Sequence, residues 1–305
     1  MRTTFIETLC ELAAQDERIW LLTGDLGYSV LEPFAQQFPQ RFVNVGVAEQ
    51  NMTGVAAGLA LCDKIVFTYS IANFPIMRCL EQIRNDVCYH NLNVKIVAVG
   101  GGLAYGSAGY SHHAVEDLAV MRAMPNMTVV APGDAAEVRH ATQAIVEHGG
   151  PCYLRLDKGG RPKVHENDLD FQLGRAIPMR LGSAVTLICT GAILSEAHQA
   201  VEQLTEMGIS AGLISMHTVK PLDTEAILEA AHHSDMIVIV EEHSKIGGLY
   251  EAVAGVLASV GATRARLLSS LPTYSLSREA GSQAYLRIKT GLDASSLVAL
   301  VMKSL

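Results

Sequence analysis

The strongest constraint on the fold is a recurring pair: a short, uninterrupted apolar run followed by a segment of helical period. Residues 19–23 (IWLLT), 94–99 (VKIVAV) and 236–240 (MIVIV) carry no polar–apolar alternation. Such runs are buried on both faces, which a parallel sheet covered by helices provides and a half-solvated antiparallel sheet does not. The pattern predicts strands over 19–23, 41–45, 64–69, 94–99 and 127–131, with CYLRLD (152–157) as a further strand. It predicts helices over 3–15, 48–61, 74–89 and 135–147, the last capped by Asp134, and a helix opened by Glu116-Asp117. Residues 156–182 are rich in Gly, Pro and charge and have no sustained period, so they read as a linker. The alternation then restarts, with strands over 185–189, 211–215, 236–240 and 265–268 and helices over 194–207, 224–231, 249–260 and 297–302. The expectation is an α/β protein of two doubly wound domains: 1–157, a linker 158–182, and a smaller domain 183–305. At roughly 100–200 residues per domain, a 305-residue chain accommodates two.

Composition narrows the partners. Lys plus Arg is 23 against 31 Asp plus Glu, a net charge of −8, whereas nucleic acid and anionic membranes reward clustered positive charge. An apolar fraction of 49% supplies buried cores. The six cysteines (10, 62, 79, 88, 152 and 189) form no CxxC pair and read as buried free thiols in a reducing compartment. The N-terminal residues lack the apolar core and cleavage site of a signal peptide, and no uncharged apolar run reaches membrane-spanning length. A soluble, cytoplasmic protein is expected.

In open parallel sheets ligands sit beyond the carboxyl ends of the strands. Four segments qualify: 23–29 (TGDLGYS), 44–52 (NVGVAEQNM), 68–74 (TYSIANF) and 99–113 (VGGGLAYGSAGYSHH). Glu49 follows a strand and opens an apolar helix. It reads either as an exposed carboxylate on a helix dipole, worth under about 1 kcal/mol, or as a desolvated acid able to keep or share a proton. Five glycines between 100 and 109 would let backbone approach a ligand closely. His112 directly after them is a candidate acid/base or oxyanion donor. A metal site of His112, His113 and Glu116 is discounted, because adjacent histidines rarely face one ion. Phe74 reads by default as a core aromatic, with Arg78 one helical turn on, and Lys158 as a linker lysine or a phosphate contact. The acids and His243 of 241–253 read as packing or interface.

Several blocks together resemble the transketolase family. Residues 41–61 (RFVNVGVAEQNMTGVAAGLAL) resemble its pyrimidine-binding signature, and 111–138 its next block. Residues 190–204, 217–223 (HTVKPLD) and 240–248 (VEEHSKIGG) are similar to its C-terminal domain. The resemblance implies thiamine diphosphate as cofactor, bound between two kinds of domain. The kind that holds the diphosphate and Mg²⁺ carries a GDG motif, which this chain lacks; it has Gly24-Asp25-Leu26 and Gly133-Asp134-Ala135 instead. The implied protein is the second subunit of a split transketolase. An N-terminal-type subunit would supply the diphosphate and metal site, and α2β2 would be the assembly. By resemblance, Glu49 is the catalytic glutamate beside the pyrimidine. Phe74 stacks on that ring, and Asp25 lies in the cofactor-facing turn; Arg78, on the same face as Phe74 by helix spacing, is a further cofactor-binding candidate. His112 contacts substrate oxygen, and Arg2, Ser29 and Lys158 fall near positions that bind a sugar phosphate. No metal ligand is expected on this chain.

The departures from the family bear on substrate. Gly100 stands where a His is usual, Ala108 where an Asp is usual, and Ile71 replaces an aromatic of the pyrimidine pocket. The first two contact sugar hydroxyls in the family, so a substrate with fewer or different hydroxyls is implied. The expected reaction is transfer of a two-carbon ketol unit from a ketose or its phosphate to an aldehyde. The alternative is the β-like half of an acyloin synthase, as in 1-deoxyxylulose-5-phosphate synthase, or of a 2-oxo acid dehydrogenase. A non-enzymatic homologue is a third reading, disfavoured by the joint presence of Glu49, Phe74 and His112.

Overall fold

The computed structural model describes residues 1–160, 162–165, 169–261, 263–271 and 279–305. Strands of the first half are β1 (Ile19–Thr23), β2 (Phe42–Asn44), β3 (Ile65–Ile71), β4 (Val94–Val99), β5 (Thr128–Val130) and β6 (Cys152–Leu156). Those of the second half are β7 (Ile177–Arg180), β8 (Val185–Thr190), β9 (Ala211–Ser215), β10 (Thr218–Lys220), β11 (Met236–Glu241) and β12 (Arg266–Ser269). They form a seven-stranded sheet, β10-β5-β6-β4-β3-β1-β2, and a five-stranded sheet, β12-β11-β8-β9-β7. All neighbours run parallel except the edge strands β10 and β7. The α/β class expected from the sequence is the class observed.

The uninterrupted apolar runs are buried on both faces of the first sheet. Val94, Ile96 and Ala98 of β4 join one apolar cluster with Val66 and Tyr153, while Val97 and Val99 join the other with Phe67 and Leu154. Lys95 breaks the apolar run yet is fully buried. Its ammonium donates to the carbonyls of His148 and Gly150, both at 2.6 Å, which satisfies a charge that would otherwise exclude it from a core.

Three local expectations are corrected. The 74–89 segment is not one helix but two short turns, Phe74–Met77 and Leu80–Gln82, followed by a π-helical stretch, Ile83–Cys88. Apolar period alone cannot separate i→i+4 from i→i+5 bonding. The end of the linker stretch is β7, an antiparallel edge strand whose burial alternates. Cys62 is exposed at a helix C-terminus, while the other five thiols are buried.

Two features tie the halves together. β10 lies in the second half of the chain but pairs with β5 at the edge of the first sheet, Thr218 opposite Val130. The 241–248 loop forms the second tie. Glu241 accepts from the N–H groups of Leu249 (2.8 Å) and Tyr250 (2.9 Å), capping the helix Leu249–Val260. His243 Nε2 accepts from the Ala119 N–H at 3.3 Å while its Nδ1 donates to the Ser244 carbonyl at 2.8 Å. Arg122, on the helix Asp117–Ala123, donates back to the Gly248 carbonyl at 2.8 Å.

Candidate active site

The central strands of the first sheet end flush. Thr23 registers with Asn44 and Tyr69, Ile71 with Val99, and Val99 with Leu156. The loops leaving β1, β2, β3, β4 and β6 therefore emerge along one carboxyl-terminal edge, and every candidate site residue after Arg2 lies on or just beyond those loops.

Glu49 opens the helix after β2 and is only 2% exposed. Its apolar chain neighbour Val47 is 76% exposed, so Val47 does not shield it. The cover comes from other elements: a Cβ on Gly24 would lie 3.6 Å from Glu49 Cγ, and Arg78 Nη1 donates to Glu49 Oε2 at 2.9 Å. Arg78 Cζ also lies 4.7 Å above the Phe74 ring, and the Phe74 and His112 rings meet edge-on at 5.2 Å. Glu49, Arg78, Phe74 and His112 thus form one contiguous row. Asn73 pins the two loops together, its amide donating to the Ser111 carbonyl at 3.1 Å.

Asp25 has φ +58, a left-handed conformation that Asp tolerates. Its carboxylate accepts from Asn44 Nδ2 and the Tyr28 hydroxyl, both at 3.0 Å, and these two bonds hold its pKa below the usual carboxylate value. Ser29 also has positive φ, and its N–H donates to Glu32 Oε1 at 2.7 Å. The same loop runs against Tyr69, since a Cβ on Gly27 would lie 3.2 Å from that ring.

The cations gather on the other side. Arg2 lies within electrostatic reach of the Tyr69 and Tyr105 hydroxyls, and burial pushes both phenols upward. Lys158 Nζ lies 4.5 Å from the centroid of the Tyr105 ring. The structure therefore brings Arg2 and Lys158 to one aromatic pair. His112 and His113 do different things: His112 faces Phe74, while His113 is buried and its Nε2 donates to the Gly106 carbonyl at 3.2 Å. No group of three metal-ligating side chains occurs among the described residues.

The second domain supports the glycine loop from behind. Arg155 holds Asp117 bidentately at 2.7 and 3.0 Å and donates to the carbonyls of Ala114 and Glu242. Glu242, in contact with Arg287, accepts from the Leu103 N–H at 3.4 Å. Leu286 packs with Leu103 and Val115. Sequence reasoning missed Tyr69, Tyr105, Asn44 and Asn73. Tyr69 and Asn44 sit at strand ends, where the strand-end rule could have found them. Tyr105 and Asn73 depend on contacts between separate loops, which no local pattern records.

Residues 1–162 match the family description "Transketolase, pyrimidine binding domain", and residues 174–294 match "Transketolase, C-terminal domain". The chain belongs to the transketolase family. It is 42% identical over 258 residues (84% of this chain, 83% of the relative) to one of the subunits of the apulose-4-phosphate transketolase of Phocaeicola vulgatus. It is 39% identical over 299 residues (98% and 92%) to the 6-deoxy-6-sulfo-D-fructose transketolase subunit SqwH of a Clostridium species. A solved structure described as a split gene transketolase, inactive beta4 tetramer, superposes with a TM-score of 0.89 at 39% identity, covering 99% of this chain and 96% of that one. No helix among the described residues is long and apolar enough to cross a membrane.

Proposed function

We propose that this chain is one subunit of a two-component transketolase. With an N-terminal-type partner it moves a two-carbon ketol unit from a ketose, or ketose phosphate, to an aldehyde. The observation that carries the reading is Glu49: a carboxyl only 2% exposed, with Oε2 held by Arg78, in one row with Phe74 and His112. A buried acid fits a weakly basic ring nitrogen, and Phe74 beside it offers a flat apolar surface. Those residues, with the Asp25 turn, fit the pyrimidine end of thiamine diphosphate. When bound, that cofactor supplies a nucleophilic carbon and an electron sink for breaking and making the C–C bond.

Within this frame Glu49 holds or shares a proton at the ring nitrogen, and Arg78 keeps the carboxyl oriented. His112 donates to the oxygen of the substrate carbonyl. Arg2, Ser29 and Lys158 receive an anionic substrate end. Lys158 keeps the positive charge where the family usually has Arg but cannot form a two-pronged contact. The diphosphate and Mg²⁺ would rest mainly on the partner, since the GDG motif is missing here. An α2β2 assembly places this exposed edge, with Val47 76% and Tyr28 72% exposed, against that partner. The inactive beta4 tetramer formed by a relative supports a chain that self-associates and does not act alone.

The test is reconstitution. The purified chain is mixed with an N-terminal-type transketolase subunit, thiamine diphosphate and Mg²⁺, and ketose cleavage is followed. Turnover only in the mixture is expected. Full activity of the single chain refutes the split reading, and pyruvate decarboxylation without ketose cleavage selects the acyloin-synthase alternative.

A further inference from the structure

The glycine run after β4 raises a question that its conformational freedom does not answer. Gly100 has φ +88, and its N–H donates to the Leu156 carbonyl at 2.7 Å. A Cβ at this position would come within 2.1 and 2.2 Å of Tyr105 Cε2 and Cδ2. A side chain at 100 is therefore excluded twice, by backbone strain and by an aromatic ring already in its place.

The backbone that carries that ring is held on both sides. The Tyr105 carbonyl accepts from the Ala108 N–H at 2.8 Å, closing the turn Gly106–Ala108. On the near side Leu103 is anchored to Glu242, and on the far side Gly106 abuts Leu286 and the Gly281 carbonyl. The ring lies 6.0 Å from the His112 ring at 50°, and Lys158 Nζ lies 4.5 Å from its centroid. Tyr105 thus stands between the proposed reaction end, at His112, and the proposed anion end, at Arg2 and Lys158.

We propose that Tyr105 is a specificity-determining residue of this site. Its ring takes the space a side chain at 100 would need and presents an apolar face to the middle of the substrate, between His112 and the two cations. The proposal rests on the ketol-transfer reading and names its substrate class: short, anionic-ended sugars with a hydrogen in place of a hydroxyl along that middle stretch. C–H bonds pack well on an aromatic face. A hydroxyl pressed against it gives up hydrogen bonds to water and gains none in return. Lys158 above the ring adds cation–π attraction, which keeps ring and ammonium in register with an anionic terminus.

The experiment compares D-ribose 5-phosphate with its 3-deoxy analogue as acceptors for the complex of this chain and its partner. Binding of the corresponding non-reacting alditol phosphates to the same complex is measured by calorimetry. The wild type and Tyr105→Phe are expected to prefer the 3-deoxy compounds, in KM and in binding. Tyr105→Ala is expected to erase that preference by roughly tenfold, the scale set by one misplaced polar group. If Tyr105→Ala weakens both compounds alike and the ratio holds, or if the wild type shows no preference, the inference is overturned. A complex that transfers to neither aldehyde but binds the alditols with the stated preference refutes ketol transfer and upholds the role of Tyr105.

Discussion

Arg78 is 47% exposed and Glu49 2%, so their ion pair is half screened by solvent. Arg78→Met is expected to cost about 1–2 kcal/mol, between the values for surface and buried pairs. Urea unfolding measures this, and an unchanged midpoint would show that the pair does not stabilise the fold. At this scale the sequence singled out Glu49, Phe74 and His112 as candidates, because each stands at a strand end or beside a glycine run, and the structure sets them in one row. It did not disclose Tyr105, whose partners at 100, 112 and 158 come from different loops. It left open whether Glu49 is exposed or desolvated; the close approach of Gly24 and Arg78, both from other loops, accounts for its burial.

The helix Ala135–Glu147 shows how much one cap can carry. Asp134 accepts from the Glu137 N–H at 3.0 Å, the bond expected from the sequence. It also accepts from the N–H groups of Val164 (3.0 Å) and His165 (2.9 Å), which sequence spacing could not reveal. A cap alone is worth about 1 kcal/mol. With two further N–H groups orphaned, one buried and one part-buried, Asp134→Ala is expected to cost about 3 kcal/mol. Hydrogen exchange at 164–165 should quicken together with the first turn of this helix; unchanged exchange at 164–165 would refute that coupling. Elements with strong local signals, such as this helix and β4, were legible to the residue. β7 and β10 were not, because both are edge strands whose pairing is decided by a distant partner.

Across the whole molecule, the junction between halves carries opposed titrations. His217 is buried and stacks on Phe171 at 4.0 Å; burial, with the charge of His165 adding, pushes it down from 6.5 to about 3. The unfolded chain then binds a proton that the folded chain refuses, so stability falls as pH drops from 6.5 toward 3, by at most about 1.4 kcal/mol per unit. His165 lies 3.4 Å from Asp134 and 3.3 Å from Glu137. Burial opposes its charge but those carboxylates prevail and raise it above 6.5, so its contribution is present below that value and lost as pH climbs through its folded value. Thermal unfolding against pH is expected to peak near neutrality, and His217→Leu to flatten the acid side. An acid limb unchanged in that variant would remove His217 as its cause. Two α/β domains were legible from alternating runs, but their mutual grip was not. It depends on Arg155, Asp117, Glu242 and Arg287 meeting across the boundary.

The account turns on Glu49 governing protons at the cofactor's ring. The direct measurement is exchange of the reactive carbon-bound hydrogen of thiamine diphosphate for deuterium, followed by NMR in the reconstituted complex. The wild type is expected to speed this exchange, and Glu49→Gln to lose the acceleration while keeping its circular dichroism and its assembly with the partner. Fast exchange in a folded, assembled Glu49→Gln complex would contradict the account.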